Sequence, residues 1–383
     1  MKDIGLLMLS DSFYPVRGGR ELVIDKLMSE YQGKINAMLG VPHFARYDSF
    51  DDSSLPYYVK RCKSLSLTKS EVLAIPDRKF KREIEGKIKS GEINIIHVKT
   101  KYALMKYALK LKKKYGVKVV TTAHTNYPEV YSKTLKIPCI YRFALGRIKR
   151  ILNKVDVVTT VSNYMREKLV AMGVKNKIEV IPNGNDFLTY NVTEEDIFEV
   201  KKKYSLNYDE PLLIYVGRIS KEKSIDVIIK SLSMVKSGFK MVFVGGGDVK
   251  SYSSLAERFN LSKKCIFLGQ INNLKELIAI CSSALLQIFP SAVESFGLTI
   301  PECGAVGTPS IVTESCATSE TIQDGVNGFI TDGSAIEIAK KIDLVLSDKN
   351  LLSEVSKNVK KTFDTSWESV ANQYIETYKS CLN

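Results

Sequence analysis

The chain has 383 residues, a length that at roughly 100–200 residues per domain predicts two or three domains. Hydrophobic residues make up 44% and charged residues 26%, which excludes a disordered, collagenous or disulfide-framework chain. Lys and Arg number 56 against 42 Asp and Glu, a net charge of +14, but the excess is local. Between Lys60 and Arg150 lie 24 cations and 6 acids, a surplus of +18 that leaves −4 for the rest. Such polarity points to an anionic partner, nucleic acid or membrane surface, or else to a solvated lysine-rich face.

Seven scattered cysteines read as reduced thiols, and three histidines (His43, His97, His124) are too few for a His-rich metal centre. The short apolar run at the start has no small-residue cleavage site, and nowhere do about 18 apolar residues follow one another. The sequence therefore predicts a cytoplasmic protein without a spanning helix.

In chain order, residues 4–9 read as a buried parallel strand, then a loop through Gly18-Gly19 and a helix from about Arg20. Further strands are predicted over 35–39, 93–98, 117–123, 155–161 and 178–181, with helices over 102–115 and 141–153. Residues 42–92 carry no clear period and yield no element. After the turn cluster Pro182-Asn183-Gly184-Asn185-Asp186, an acidic stretch leads into a second alternation, with strands over 212–216, 240–244, 265–268, 284–289 and 310–312 and a helix over 334–346. Strand alternating with helix gives a parallel, doubly wound α/β sheet. Two similar halves meet at a boundary near 183–190, and ligands are expected at the strand carboxyl ends, in a cleft between the halves.

Three stretches carry candidate chemistry. Strand 212–216 ends in Gly217-Arg218 and, after Lys223-Ser224, an apolar helix begins near Ile225. A glycine turn, a helix start and two cations suit a diphosphate, or make a plain βα turn with surface cations. The next strand ends in Gly245-Gly246-Gly247, where a ligand can approach the backbone, although the spacing is not a dinucleotide fingerprint. The segment Pro290-Ser291-Ala292-Val293-Glu294-Ser295-Phe296-Gly297-Leu298-Thr299-Ile300-Pro301-Glu302 sets two carboxylates eight positions apart, Glu294 in a loop and Glu302 in the following helix. Glu294 can accept bonds from sugar hydroxyls and Glu302 from a ribose diol, or both can be solvent-facing acids.

This pattern, Pro-Ser-x-x-Glu-Ser-Phe-Gly with a second Glu eight positions after the first, resembles the E-x7-E motif of retaining glycosyltransferases of the GT-B fold, family four. Gly18-Gly19-Arg20-Glu21, Thr122-Ala123-His124, Ile181-Pro182-Asn183-Gly184, Gly217-Arg218 with Lys223, and Asp324-Gly325-Val326-Asn327-Gly328-Phe329 follow the same family's order, so the resemblance spans nearly the whole chain. Ser224 stands where the family usually has glycine after the clamp lysine, and Ala317-Thr318-Ser319 precede Glu320 in place of Gly-Gly.

The resemblance implies two facing Rossmann-like domains: 1–184 on the acceptor side, with a last helix over 366–383 packed back on it, and 185–365 binding the nucleotide sugar. It implies that Arg218 and Lys223 neutralise the leaving diphosphate, that Glu294 and His124 hold the sugar, and that Glu302 holds the ribose. Gly18 and Gly19 would lie beside the phosphate, and Gly217, Gly246, Ser295, Phe296, Gly297, Leu298 and Thr299 would complete the donor site. A UDP- or GDP-linked hexose is the implied donor and a glycan or lipid-linked hydroxyl the acceptor. No cofactor is implied, and without an Asp-x-Asp motif no divalent metal is expected. A GT-B-like nucleotide-sugar epimerase or hydrolase is disfavoured by the E-x7-E spacing. A non-catalytic sugar-nucleotide sensor or nucleic-acid binder lacks an aromatic-interleaved motif, so nucleic acid is not an expected partner. The aromatic and basic stretch through Tyr127, Tyr131, Lys133, Lys136, Arg142, Arg147, Lys149 and Arg150 suggests a peripheral contact with an anionic membrane.

Overall fold

Short apolar runs become strands buried on both faces, as parallel sheets covered by helices require. The computed structural model describes residues 3–16, 18–44, 50–68, 72–100, 102–135 and 137–383. The chain divides into two units, Met1–Gly184 with Trp367–Asn383, and Asn185–Ser366.

In the first unit, Gly5–Leu9 (β1), Gly19–Glu30 (α1), Asn36–Pro42 (β2), Tyr58–Ser66 (β3), Val72–Ile75 (β4) and Arg78–Lys89 (α2) lead to Ile95–Val98 (β5) and Ala103–Tyr115 (α3). Lys118–Thr122 (β6), Tyr127–Thr134 (α4), Pro138–Leu152 (α5), Val157–Thr160 (β7), Asn163–Ala171 (α6) and Ile178–Val180 (β8) follow. The sheet has the order β4-β3-β2-β1-β5-β6-β7-β8, parallel except for β4 against β3. The unassigned region 42–92 thus holds β3, β4 and α2. Helix α2 is set by local rules. The Asp77 carboxylate caps it by accepting from the Lys79 and Phe80 amides, and Phe80, Ile84 and Ile88 bury one face at four-residue spacing. Helix α3 stops at Gly116, whose φ of 75° is the left-handed geometry of a C-terminal cap.

The second unit runs Glu194–Lys203 (α7), Leu212–Val216 (β9), Ile225–Leu232 (α8), Lys240–Val244 (β10), Val249–Arg258 (α9), Cys265–Gly269 (β11), Leu274–Ser282 (α10) and Leu286–Phe289 (β12). It closes with Thr299–Ala305 (α11), Ser310–Thr313 (β13), Phe329–Thr331 (β14), Ala335–Ser347 (α12) and Lys349–Thr362 (α13). Its sheet is parallel in the order β11-β10-β9-β12-β13-β14. The final helix, Trp367–Leu382 (α14), belongs to the first unit. Its Tyr378 hydroxyl bonds Tyr31, just past α1, at 3.1 Å and the buried His97 Nδ1 at 2.6 Å, and Glu368 accepts from Lys34 at 3.1 Å. Gly184 packs against Trp367, whose ring would lie 2.6 Å from any Cβ placed there.

Each sheet has one place where strand order reverses, between β1 and β5 in the first unit and between β9 and β12 in the second. In open α/β sheets the loops leaving the carboxyl ends at such a point form the binding crevice. The topology therefore singles out residues 10–16 and 99–100 in one unit, and 217–224 and 290–298 in the other.

Candidate active site

In the second unit the two switch-point loops are tied by one ion pair. Lys223, at the end of the short turn Lys221–Lys223 after β9, gives its Nζ to Glu294 Oε1 in the loop after β12. The pair is largely sequestered, with 25% of the lysine and 11% of the glutamate side chain exposed. The ammonium also sits 6.0 Å from the centroid of Phe289. Arg218, one residue beyond Gly217, is exposed and its guanidinium has no side-chain partner among the described residues. Its backbone is anchored instead, the carbonyl accepting from the buried Tyr215 hydroxyl at 2.9 Å. One predicted clamp cation is thus held by the first glutamate of the motif, and the other has no side-chain partner among the described residues.

The glycines divide into two jobs. Gly217, Gly245 and Gly247 have φ of 151°, 141° and 136°, all in the region that favours glycine. A Cβ at Gly245 would overlap the Gly217 carbonyl, and one at Gly247 the Ile219 carbonyl. The two loops zip together through Gly217 N–H to Val244 O and Ile219 N–H to Gly246 O, both 2.9 Å. Gly246 and Gly247 are both exposed, and only Gly246 is unhindered, with Gln270 Oε1, at 3.9 Å, the one atom near a Cβ built there. Two of the three glycines in that turn therefore serve loop packing, and Gly246 is the one with open space in front of it.

In the loop before α11, Ser295, Phe296, Gly297, Leu298 and Thr299 are all half-buried. Gly297 has φ 78°, and the Thr318 methyl would stand 2.7 Å from a Cβ there. Thr299 accepts from Gln287 Nε2 at 3.3 Å, and Ser310 donates to the other end of the same buried amide at 2.6 Å. Glu302, in α11, is no solvent-facing acid. Burial and the neighbouring Asp186 carboxylate push its pKa up to about 8. The Asn185 amide holds Asp186 and α11 in place, donating to Pro301 O at 2.7 Å while its Oδ1 accepts from the Phe187 amide at 2.9 Å. The two glutamates of the motif thus occupy opposite environments, one paired with a cation and one beside a second acid.

In the first unit, Gly18 and Gly19 are exposed at the start of α1, and the Glu21 carboxylate folds back to within 2.7 Å of where a Gly18 Cβ would be. His124 lies just past β6, half-buried, and its Nε2 has no partner among the described residues. Burial, the Lys99 ammonium and the Arg20 guanidinium hold its imidazole well below the ordinary value, so the ring is neutral. His97, by contrast, is a satisfied core histidine, bonded to Tyr378 and, at 2.7 Å, to Thr122. Asp11 and Lys99, which sequence reasoning passed over, occupy the first unit's switch-point loops. Thr100 Oγ1 donates to Asp11 Oδ2 and so ties the loop after β5 to the loop after β1. Burial raises Asp11 to about 7 against the pull of Arg20, and lowers Lys99 to about 7. Their signal in the sequence was position alone: a charged residue one or two positions past a buried strand. Among the described residues no three His, Cys, Asp or Glu side chains converge as a metal site.

Two α/β units, each built on a sheet with one switch point and parallel but for β4, have the GT-B fold. Residues 196–362 match the family model for glycosyl transferases group 1, and residues 50–187 that for glycosyltransferase family 4. The chain belongs to these glycosyltransferases. It is similar to an uncharacterized glycosyltransferase of Methanocaldococcus jannaschii, 29% identical over 59% of this chain and 60% of that one, so the match leaves over a third of that relative uncovered. It is also similar to the alpha-monoglucosyldiacylglycerol synthase of Acholeplasma laidlawii, 26% identical over 73% of each chain. With the GDP-mannose-dependent alpha-(1-6)-phosphatidylinositol monomannoside mannosyltransferase of Mycobacterium tuberculosis it shares 24% identity over 90% of each. Among solved structures, Anabaena HepE in complex with UDP and glucose superposes with a TM-score of 0.79 at 20% identity, covering 98% of this chain and 100% of that one.

Proposed function

We propose that the chain moves a hexose-type sugar, with retention of anomeric configuration, from a UDP- or GDP-linked donor to a hydroxyl acceptor in glycolipid or cell-surface glycan synthesis, without a divalent metal. The observation that carries this reading is the Lys223–Glu294 pair at the second unit's switch point, with Arg218 unpartnered beside Gly217. Negative charge builds on the leaving diphosphate as the glycosidic bond breaks, and cations already in place stabilise that charge. Arg218 meets it directly; Lys223 meets it while Glu294 keeps the ammonium oriented and offers its remaining oxygen to sugar hydroxyls. The exposed Gly246 and the half-buried backbone from Ser295 to Thr299 line the donor, and Glu302 takes the ribose diol. Gly18, Gly19 and His124 serve the phosphate and the sugar from the first unit. No side chain is assigned as a nucleophile; the acceptor hydroxyl attacks on the face that the diphosphate leaves, and a phosphate oxygen takes its proton.

The lipids in the names of two of the relatives, a diacylglycerol and a phosphatidylinositol monomannoside, and the basic first unit support a lipid-borne acceptor. A groove of about 670 Å³ between α3 and α5 is lined by Lys106, Lys110, Lys112, Lys113, Arg147, Arg150 and Lys154 over Leu109 and Ile151, and Phe143 on α5 is 70% exposed. Cations around apolar side chains suit peripheral attachment to an anionic bilayer. Lys136 of the basic stretch lies outside the described residues. No helix among the described residues is long and apolar enough to cross a membrane.

The test is a screen of UDP- and GDP-linked sugars for thermal stabilisation, followed by transfer with the best donor in excess chelator. Stabilisation and chelator-resistant transfer are expected; loss of transfer that added metal restores refutes the metal-free reading.

A further inference from the structure

The switch point of the first unit gathers buried polar atoms, and two of them, on Lys99 and Asp11, have no part in the donor chemistry. Lys99, immediately past β5, is 2% exposed, and its Nζ has no hydrogen-bond partner among the described residues. Its nearest company on one side is the face of Tyr374, 5.2 Å away. Asp11, two residues past β1, keeps Oδ1 unpartnered among the described residues, its other oxygen taken by Thr100. His124 Nε2, past β6, is the third orphan. Strands β1, β5 and β6 are adjacent and in register at these ends, Leu9 beside Val98 and Val98 beside Thr121. The three orphans therefore stand at one edge of one sheet, with Arg20 of α1 close enough to act electrostatically on both Asp11 and His124.

A buried lysine without a partner is rare, because an ammonium stripped of water needs an anion to compensate it. Ordinary core packing would place an apolar residue here. The Asp11 carboxyl does not answer the lysine, since neither its free Oδ1 nor the Lys99 Nζ has a hydrogen-bond partner among the described residues. We propose that Lys99, with Arg20 nearby and paired through its Nε with Glu21 at 3.5 Å, is the subsite for a compact oxyanion carried by the acceptor, phosphate or carboxylate, and that Lys99 selects for it. The inference rests on the reading of the first unit as the acceptor-binding half. Asp11 Oδ1 then takes an acceptor hydroxyl, so the acceptor class is a polyol or sugar bearing an oxyanion near its hydroxyls.

The experiment measures thermal stabilisation and affinity of the full chain, wild type and Lys99→Met, with inorganic phosphate, glycerol 3-phosphate, succinate and phosphatidylglycerol vesicles as probes and glycerol as the neutral control. At least one oxyanion is expected to stabilise the wild type and to bind Lys99→Met at least tenfold more weakly, with no response to glycerol. Glycerol 3-phosphate, succinate or vesicles as the strongest responder assigns the oxyanion to a phosphomonoester, a carboxylate or a lipid headgroup respectively. Lys99→Met is expected to melt no lower than wild type, because it removes a desolvated amine. Equal binding by the two proteins, no oxyanion binding to wild type, or a Lys99→Met protein that melts clearly lower each overturns the subsite. UDP-glucose and GDP-mannose are run in parallel on wild type. If they fail while the oxyanion arm succeeds, the donor reading falls and the subsite stands; the reverse result overturns the subsite alone.

Discussion

Glu302 offers the sharpest link between burial and ligand binding. Its carboxyl is lifted from 4.5 to about 8 by burial and by Asp186. To accept both hydroxyls of a ribose diol it does best as a carboxylate, so binding a nucleotide sugar has to ionise it. At pH 7 the group lies one unit below its pKa, which costs about 1.4 kcal/mol of binding free energy. UDP-glucose carries no group of its own that titrates between pH 7 and 8.5, so its affinity should rise roughly eightfold across that range as the ionised fraction grows. Isothermal calorimetry at pH 7 in two buffers of different ionisation enthalpy should show close to one proton released per nucleotide bound, and Glu302→Gln should abolish the release. The same shift has a stability signature. The folded state favours the protonated form, so this contribution is fully present below pH 4.5 and is lost as pH rises through 8. Glu302→Gln should therefore gain stability relative to wild type between pH 5 and pH 9 in urea unfolding. An affinity flat with pH and without proton release, or a Glu302→Gln protein that keeps the wild-type slope, would show that Glu302 does not bind the ribose as a carboxylate.

Arg218→Ala removes an exposed side chain with no side-chain partner among the described residues, so its unfolding free energy should stay within about 0.5 kcal/mol of wild type while turnover falls at least tenfold; near-normal turnover defeats the clamp assignment. Lys223→Met strands the Glu294 carboxylate at 11% exposure and should cost on the order of 2 kcal/mol, largely recovered in the Lys223→Met/Glu294→Gln double variant; a urea-unfolding double-mutant cycle with no coupling refutes the pair. Ser224 holds φ 56°, the left-handed geometry that costs a side chain roughly 1–2 kcal/mol. Ser224→Gly should accordingly stabilise the second unit by about 0.5–1 kcal/mol after the added freedom of the unfolded chain is subtracted, and a loss of stability on chemical denaturation counts against it.

How much was legible in the sequence followed from the kind of force that places each residue. Strands β9 and β10 fall on the predicted 212–216 and 240–244 because an unbroken apolar run buried on both faces has hard edges. Strand β3, Tyr58–Ser66, was invisible because it lies next to the edge strand and alternates polar with apolar residues among lysines, and β4 and β14 are only four and three residues long. The helix of the basic stretch begins at Pro138, not 141, since proline is favoured in a first turn whose amides have no helical acceptor. At the site, Arg218, Lys223, Glu294 and Glu302 could be picked out by motif order, yet their charge states could not. That Lys223 is paired with Glu294, and that Glu302 is held neutral, depends on what folds over them from seventy or more residues away. Asp11 and Lys99 had no motif at all, and only the sheet order brings the ends of β1 and β5 together.

The two switch points use charge in contrary ways, and the contrast bears on what each is for. In the second unit the cation nearest the motif is already compensated by Glu294, so the site is preorganised and costs the fold little; a ligand there gains from geometry that exists before it arrives. In the first unit, Lys99 and Asp11 are buried without compensation for the lysine and with only a threonine for the acid, an arrangement that weakens the free protein and is relieved only when something with opposite charge and a hydroxyl enters. A site that lowers the stability of the empty fold and regains it on binding ties occupancy to stability, since any ligand that binds only the folded state raises its apparent melting temperature. At equal affinity and equal saturation the ligands of the two units should therefore stabilise the fold alike, because relief of the buried ammonium is already contained in the affinity; the cost of Lys99 should show instead in the empty protein, where Lys99→Met melts no lower than wild type and loses the oxyanion response.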